Sequence, residues 1–147
     1  MKLRYKILSF FPKFIKIPAD YDKNEIGRIG EEVACAYLKK HRFKVLERNY
    51  KPYINEIDII AEKSKEIVFV EVKTRSVFHD TQSDYYREPA EYVTQKQMIN
   101  IRKAAKVYIK SHEANEYSFG VIEVYLNKYK KVKTISKIRF IYPLTFA

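Results

Sequence analysis

Two stretches of the chain repeat apolar residues every three or four positions, the spacing of a helix with one buried face. In "EIGRIGEEVACAYLKKH" the repeat is Ile26, Ile29, Val33 and Tyr37, and Asn24 stands before it as N-cap. In "TQKQMINIRKAAKVYIKSH" it is Met98, Ile101, Ala105 and Tyr108. Shorter runs of apolar residues bounded by polar turns predict strands: "FKVLERNY", "YINEIDIIA", "EIVFVEVK", "YSFGVIEVYL" and "TISKIRFIYPL". The polar "EKSK" joins the second run to the third, and the lysine-rich "NKYKKVK" separates the last two. From Ser76 to Pro89 no period holds, which reads as a loop. The order is helix, three strands, helix, two strands. It predicts an α/β domain, a central mixed β-sheet flanked by helices.

The first helix carries a second stripe of Gly27, Gly30, Glu31 and Ala34. Glycine inside a helix costs about 1 kcal/mol against alanine, so two in one stripe imply a helix pressed closely onto a sheet. Glu31 would then be held against that sheet. Ahead of the helix, residues 1–23 form a basic N-terminal appendage and linker, and residues 24–147 form the folded domain. The appendage "MKLRYKILSFFPKFIKIP" is apolar, but Pro12, Lys13 and Lys16 interrupt any run that could span a bilayer. Contact with an anionic membrane surface is its lesser alternative.

Charges stand where strand parity makes them conspicuous. Ile67, Phe69, Glu71 and Lys73 share one face of the third strand, and Glu56, Asp58 and Ile60 share one face of the second. If "EKSK" closes a hairpin, Asp58 falls opposite or diagonal to Glu71, on the order of 5–8 Å away. Two carboxylates so placed on a half-buried face repel, and a cation or a proton must relieve them. Oxygen donors of this kind suit Mg²⁺ or Mn²⁺. Lys73 is placed to orient a water or steady a phosphate oxygen, and Glu31 could complete the shell, which together describe phosphodiester hydrolysis. The plainer reading of the same residues is an ion-pair network on a solvated sheet face.

Composition sharpens the choice of partner. Lysine and arginine number 29 against 18 acids, a net charge of +11, and 15% of residues are aromatic, so nucleic acid is the first candidate. Cys35 is the sole cysteine, which excludes a disulfide framework and fits a reducing cytoplasm. Its place near the apolar side of the first helix makes it a core residue. With three glycines in the chain there is no glycine-rich phosphate loop. His41, His79 and His112 have no metal-ligand spacing and read as surface residues. The tyrosine-rich "DYYREPAEYV" reads as an ordinary loop, with base stacking the lesser alternative.

A carboxylate, about a dozen residues and then Glu-x-Lys, with a helix glutamate upstream, resembles the PD-(D/E)xK nuclease fold. The stretches "GRIGEEVACAYLKKHRFKVLERNY", "NEIDIIA", "VFVEVKTR" and "VTQKQMINIRKAAKVYI" are together similar to the YraN family of small bacterial proteins, which resembles Holliday-junction resolvases in fold. The resemblance covers Asn24 to Leu126. It implies a restriction-endonuclease-like domain over residues 24–147 and a metal-dependent endonuclease acting on DNA, branched DNA included. The alternative it leaves is a nucleic-acid-binding module on the same fold without turnover. By resemblance the catalytic residues are Glu31, Asp58, Glu71 and Lys73. The Mg²⁺ or Mn²⁺ ligands are Asp58, Glu71, the Val72 carbonyl and Glu31. Arg75 and Lys96 resemble positions that meet the nucleic-acid backbone, and a homodimer is implied by analogy with the resolvases. Two departures stand out: Asn55 where the family has glycine, and Gly120 after Phe119 where it has aspartate.

Overall fold

The computed structural model describes residues 16–18, 20–77, 93–129 and 132–144. The elements run β1 (Lys16–Pro18), α1 (Lys23–Lys40), β2 (Lys44–Tyr50), β3 (Ile57–Lys63), β4 (Glu66–Val77), α2 (Gln95–His112), β5 (Tyr117–Tyr129) and β6 (Val132–Ile141). From α1 onward this is the expected order, an α/β domain with a mixed sheet between two helices.

Helix α1 starts earlier than Asn24 would set it. Asp22 is the N-cap: its carboxylate accepts the Glu25 N–H at 2.8 Å, and Glu25 accepts the Asp22 N–H at 3.2 Å. That reciprocal box satisfies two orphan donors, and Asn24 falls inside the first turn. Helix α2 is boxed in the same way by Thr94 and Gln97, at 3.1 and 3.0 Å.

The sheet order is β1-β6-β5-β4-β3-β2, with β4 and β5 parallel and the other pairs antiparallel. A parallel neighbour requires a crossover, and α2 supplies it between β4 and β5. Helix α1 covers one face, where Ile29, Val33 and Leu38 meet Ile59, Val68, Val70, Ile122 and Val124. Helix α2 covers the other, where Met98, Ile101 and Tyr108 meet Ile60, Phe69 and Val121. Burial on both faces explains why the central strands read as nearly continuous apolar runs. Cys35 lies in the first of these cores.

Several boundaries differ from the sequence reading. Residues 16–18, within the segment read as appendage and linker, add a short edge strand to β6, with Ile17 only 1% exposed. The second strand begins at Ile57 rather than Tyr53, because pairing with β2 ends at Tyr50–Ile57. Tyr53 and Ile54 are left 78% and 85% exposed in the preceding loop. β4 runs on through Ser76 and Val77 because its parallel ladder with β5 continues to Asn127. β5 and β6 likewise extend into the lysine-rich segment, as far as the Tyr129–Val132 pair.

The β3–β4 hairpin turns at Ser64 and Lys65, with φ of 52° and 69°, the pair of left-handed residues that matches strand twist. Of the two helix glycines, one presses on the sheet. A Cβ at Gly30 would collide with the Thr74 hydroxyl of β4, whereas at Gly27 it would meet nothing within 4 Å. The close approach expected of the pair therefore belongs to Gly30.

Candidate active site

The antiparallel ladder of β3 and β4 runs from Lys63–Glu66 to Ile59–Val70 and stops. Carried one step further, the same register sets Asp58 against Glu71. Asp58 Oδ2 accepts the backbone N–H of Val72 at 2.7 Å, so the carboxylate occupies the end of the ladder. Glu71 Oε1 lies 3.1 Å from Lys73 Nζ. All four residues are half-buried. Glu71 and Lys73 share strand parity with Ile67 and Phe69, which places them on the α2 face of the sheet.

Electrostatics at this point are unfavourable without a counter-charge. Burial first, then the neighbouring Glu71, pushes the Asp58 carboxyl up to about 8, against a smaller opposing effect of the Val72 hydrogen bond. Glu31 and Glu56 add to the same negative field.

Glu31 comes from α1, on the opposite face of the sheet. Its Oε2 accepts from Asn49 Nδ2 at 3.2 Å, and the same amide donates to Glu56 Oε1 at 3.1 Å. Asn49 takes φ 49°, a left-handed setting that asparagine tolerates, and the β2–β3 register brings it opposite Asp58. One amide thus ties two acids beside the third. Sequence reasoning passed over Asn49; its only signal was an asparagine inside a strand.

Arg75 follows Lys73 on the same face of β4. Its Nε donates to Glu123 Oε2 at 2.7 Å, and the Tyr125 hydroxyl donates to that oxygen at 2.7 Å. Glu123 is 0% exposed, and its Oε1 is buried without a hydrogen-bond partner. Glu123 is also absent from the sequence reading. The signal was available: in "VIEVYL" it is an acid in an apolar strand, at the parity of Val121. Lys96 is exposed in the first turn of α2, the helix above that face, and no hydrogen bond or ion pair ties it to the carboxylates.

Among the described residues, no three His, Cys, Asp or Glu side chains are grouped as a ready-made metal cage. Asp58 and Glu71, with the Val72 carbonyl between Glu71 and Lys73, form a smaller set of hard oxygen donors. That set fits Mg²⁺ or Mn²⁺, since Mg²⁺ keeps several waters and takes one or two carboxylates. The repulsion raising Asp58 is what a divalent ion would relieve. His41 and His112 are exposed, as expected of surface residues, and His79 lies outside the described residues. The tyrosines of "DYYREPAEYV" also lie outside them.

The two departures from the family pattern have local explanations. Asn55 is not among the residues with positive φ, so its position makes no demand for glycine. At Gly120 a Cβ would lie 2.8 Å from the Phe140 ring and 3.2 Å from the Ile141 carbonyl oxygen. β6 has closed over the place where an aspartate would stand.

No helix among the described residues is long and apolar enough to cross a membrane. The family described as "Uncharacterised protein family UPF0102" matches residues 30–124. A UPF0102 protein of Caldanaerobacter subterraneus is 42% identical over 122 residues, 82% of this chain and 93% of that protein. One from Caldicellulosiruptor saccharolyticus is 36% identical over 120 residues, 80% of this chain and 97% of its own. A third, from Syntrophomonas wolfei, is 42% identical over 102 residues, 68% and 84% of the two chains. With the matched segment running from the Gly30 contact on β4 to the centre of β5, and taking in Asp58, Glu71 and Lys73, the chain belongs to the UPF0102 family, the YraN family its motifs resemble.

Proposed function

We propose that this protein is a metal-dependent nuclease that hydrolyses phosphodiester bonds in DNA, branched DNA included, in a reducing cytoplasm. The observation that carries the reading is the meeting of Asp58 and Glu71 at the end of the β3–β4 ladder, with Lys73 3.1 Å from Glu71. Bound Mg²⁺ or Mn²⁺ would supply charge neutralisation at the phosphate and a more acidic water. The chain's own residues do the rest. Asp58, Glu71 and the Val72 carbonyl furnish the oxygen donors, and the Val72 N–H fixes the Asp58 carboxylate in place. Lys73 carries protons that can be shared with an attacking water or a phosphate oxygen on the same face. Glu31, steadied by Asn49, adds negative charge beside Asp58 from the α1 side. Arg75 and Lys96 meet neighbouring phosphates.

A second reading, a nucleic-acid-binding module on the same fold without turnover, is favoured by one observation: Glu31 is engaged by Asn49 instead of being grouped with Asp58 and Glu71 as a third ligand. Two measurements separate the readings. Purified protein with Mn²⁺ or Mg²⁺ should nick or resolve linear duplex or four-way DNA junctions, and Asp58→Ala, Glu71→Ala and Lys73→Ala should each abolish the activity. Calorimetry should detect Mn²⁺ uptake at millimolar concentration or below. Salt-dependent DNA binding with no ion uptake and no cleavage selects the binding module.

A further inference from the structure

Glu123 is costly where it stands. It is 0% exposed, one of its oxygens has no partner, and Arg75 and the Tyr125 hydroxyl share the other. A buried ion pair is weak evidence for stability, since apolar residues of similar volume often serve as well, and Val121, Ile122 and Val124 beside it are such residues. The fold keeps a carboxylate in this strand, and what it holds is Arg75.

The way it holds Arg75 matters. Among the described residues its hydrogen bond runs through Nε, and none is made by the two Nη groups. The side chain is 28% exposed, so the guanidinium is anchored at its base and open at its tip. Arg75 lies two residues beyond Lys73 on one strand face, about 7 Å along β4. Glu123 itself pairs in register with Lys73 on one side and Arg139 on the other.

We propose that Glu123 is a positioning residue: from within the sheet it grips Arg75 by Nε and thereby aims the two Nη groups at a phosphate adjacent to the one held over Asp58, Glu71 and Lys73. The inference rests on the nuclease-fold reading of that site. An arginine whose Nε is satisfied from below loses less freedom on meeting a phosphate, and its fork suits two phosphate oxygens at once.

The test is DNA binding without divalent ions, measured by fluorescence anisotropy on a labelled four-way junction over a series of salt concentrations. Arg75→Gln should lower the slope of log affinity against log salt by about one. Glu123→Leu, which offers Arg75 Nε no acceptor, should lower it equally, although it removes a negative charge and would by charge alone strengthen binding. The double variant should match Arg75→Gln, because Glu123 acts only through Arg75. Arg75→Lys leaves the buried acid untouched and should behave like Arg75→Gln, since its ammonium would sit on Glu123 with no fork to present. Glu123→Leu binding as tightly as wild type with an unchanged slope, additive effects in the double variant, or a wild-type Arg75→Lys each overturns the proposal alone. Failure of the wild-type protein to bind any DNA in a salt-dependent way would overturn the site reading and this inference with it.

Discussion

Asp58 Oδ2 accepts the Val72 N–H at 2.7 Å, and Val72 follows the residue whose carboxylate most opposes the charge on Asp58. The hydrogen bond holds the acid at the place where burial and Glu71 disfavour its ionised form. Its carboxyl is raised from 3.8 to about 8, so the folded state prefers it protonated. Stability from that preference is present below the unfolded value and is lost as pH rises through the folded one. Asp58→Asn keeps an oxygen for the Val72 N–H and removes the charge. In EDTA it should therefore melt higher than wild type at pH 8, by on the order of 1–2 kcal/mol, with the difference vanishing toward pH 4. Thermal melts across that range check it. A variant less stable than wild type at pH 8 would mean that Asp58 serves the fold as an ion-pair partner.

The two glycines of α1 should respond in opposite directions. Gly30→Ala drives a methyl into the Thr74 hydroxyl and should destabilise by about 1–3 kcal/mol, as overpacking does. Thr74→Ala in the same chain should recover part of that loss. Gly27→Ala meets open space and should stabilise by about 0.5–1 kcal/mol through helix propensity. Denaturant titrations of the three variants decide it; equal effects at both positions would show that α1 lies farther from β4 at Gly30.

Period and parity explain what could be read from the sequence and what could not. Alternation along "EIVFVEVK" was enough to put Glu71 and Lys73 on one face, and a hairpin at "EKSK" was enough to bring Asp58 near them. Those are properties of strands, fixed by the pleat. The place of Asn49 depends on a left-handed backbone inside β2, and no periodicity announces that. Asp22 outcompeted Asn24 as cap because Glu25 stands three residues after it, a local signal that was in plain sight. Gly27 and Gly30 look alike in a helical stripe; only packing, which puts Thr74 under one of them, tells them apart. Glu123 was legible by parity, but its meaning depends on Arg75, 48 residues away on a parallel neighbour.

Cys35 should be chemically silent in the folded protein. Burial, ahead of the charges around it, pushes its thiol up to about 11. At pH 8 roughly a thousandth of it would be thiolate, the form that reacts. Ellman's reagent should show no fast reaction in native buffer and one equivalent of thiol after unfolding in guanidinium chloride. Fast labelling of the native protein would show that α1 opens away from the sheet.

Lys73 is the residue whose replacement best separates catalysis from fold maintenance. In the metal-free protein it partly neutralises Glu71, at 3.1 Å, and so competes with any cation for that carboxylate. Lys73→Met keeps much of the apolar stem and removes the charge. The site then presents Asp58 and Glu71 with nothing opposing them, and Mn²⁺ affinity should rise about threefold to tenfold by the Coulomb term alone. DNA cleavage should fall to background in the same protein, because the proton-bearing group beside the phosphate is gone. Tighter ion binding with lost turnover is the pair of results expected of a working site, read by calorimetry and a nicking assay on one preparation. A structural ion pair predicts a different pair: a modest loss of stability, since exposed and half-exposed pairs contribute about 0–1 kcal/mol, and no change in ion affinity.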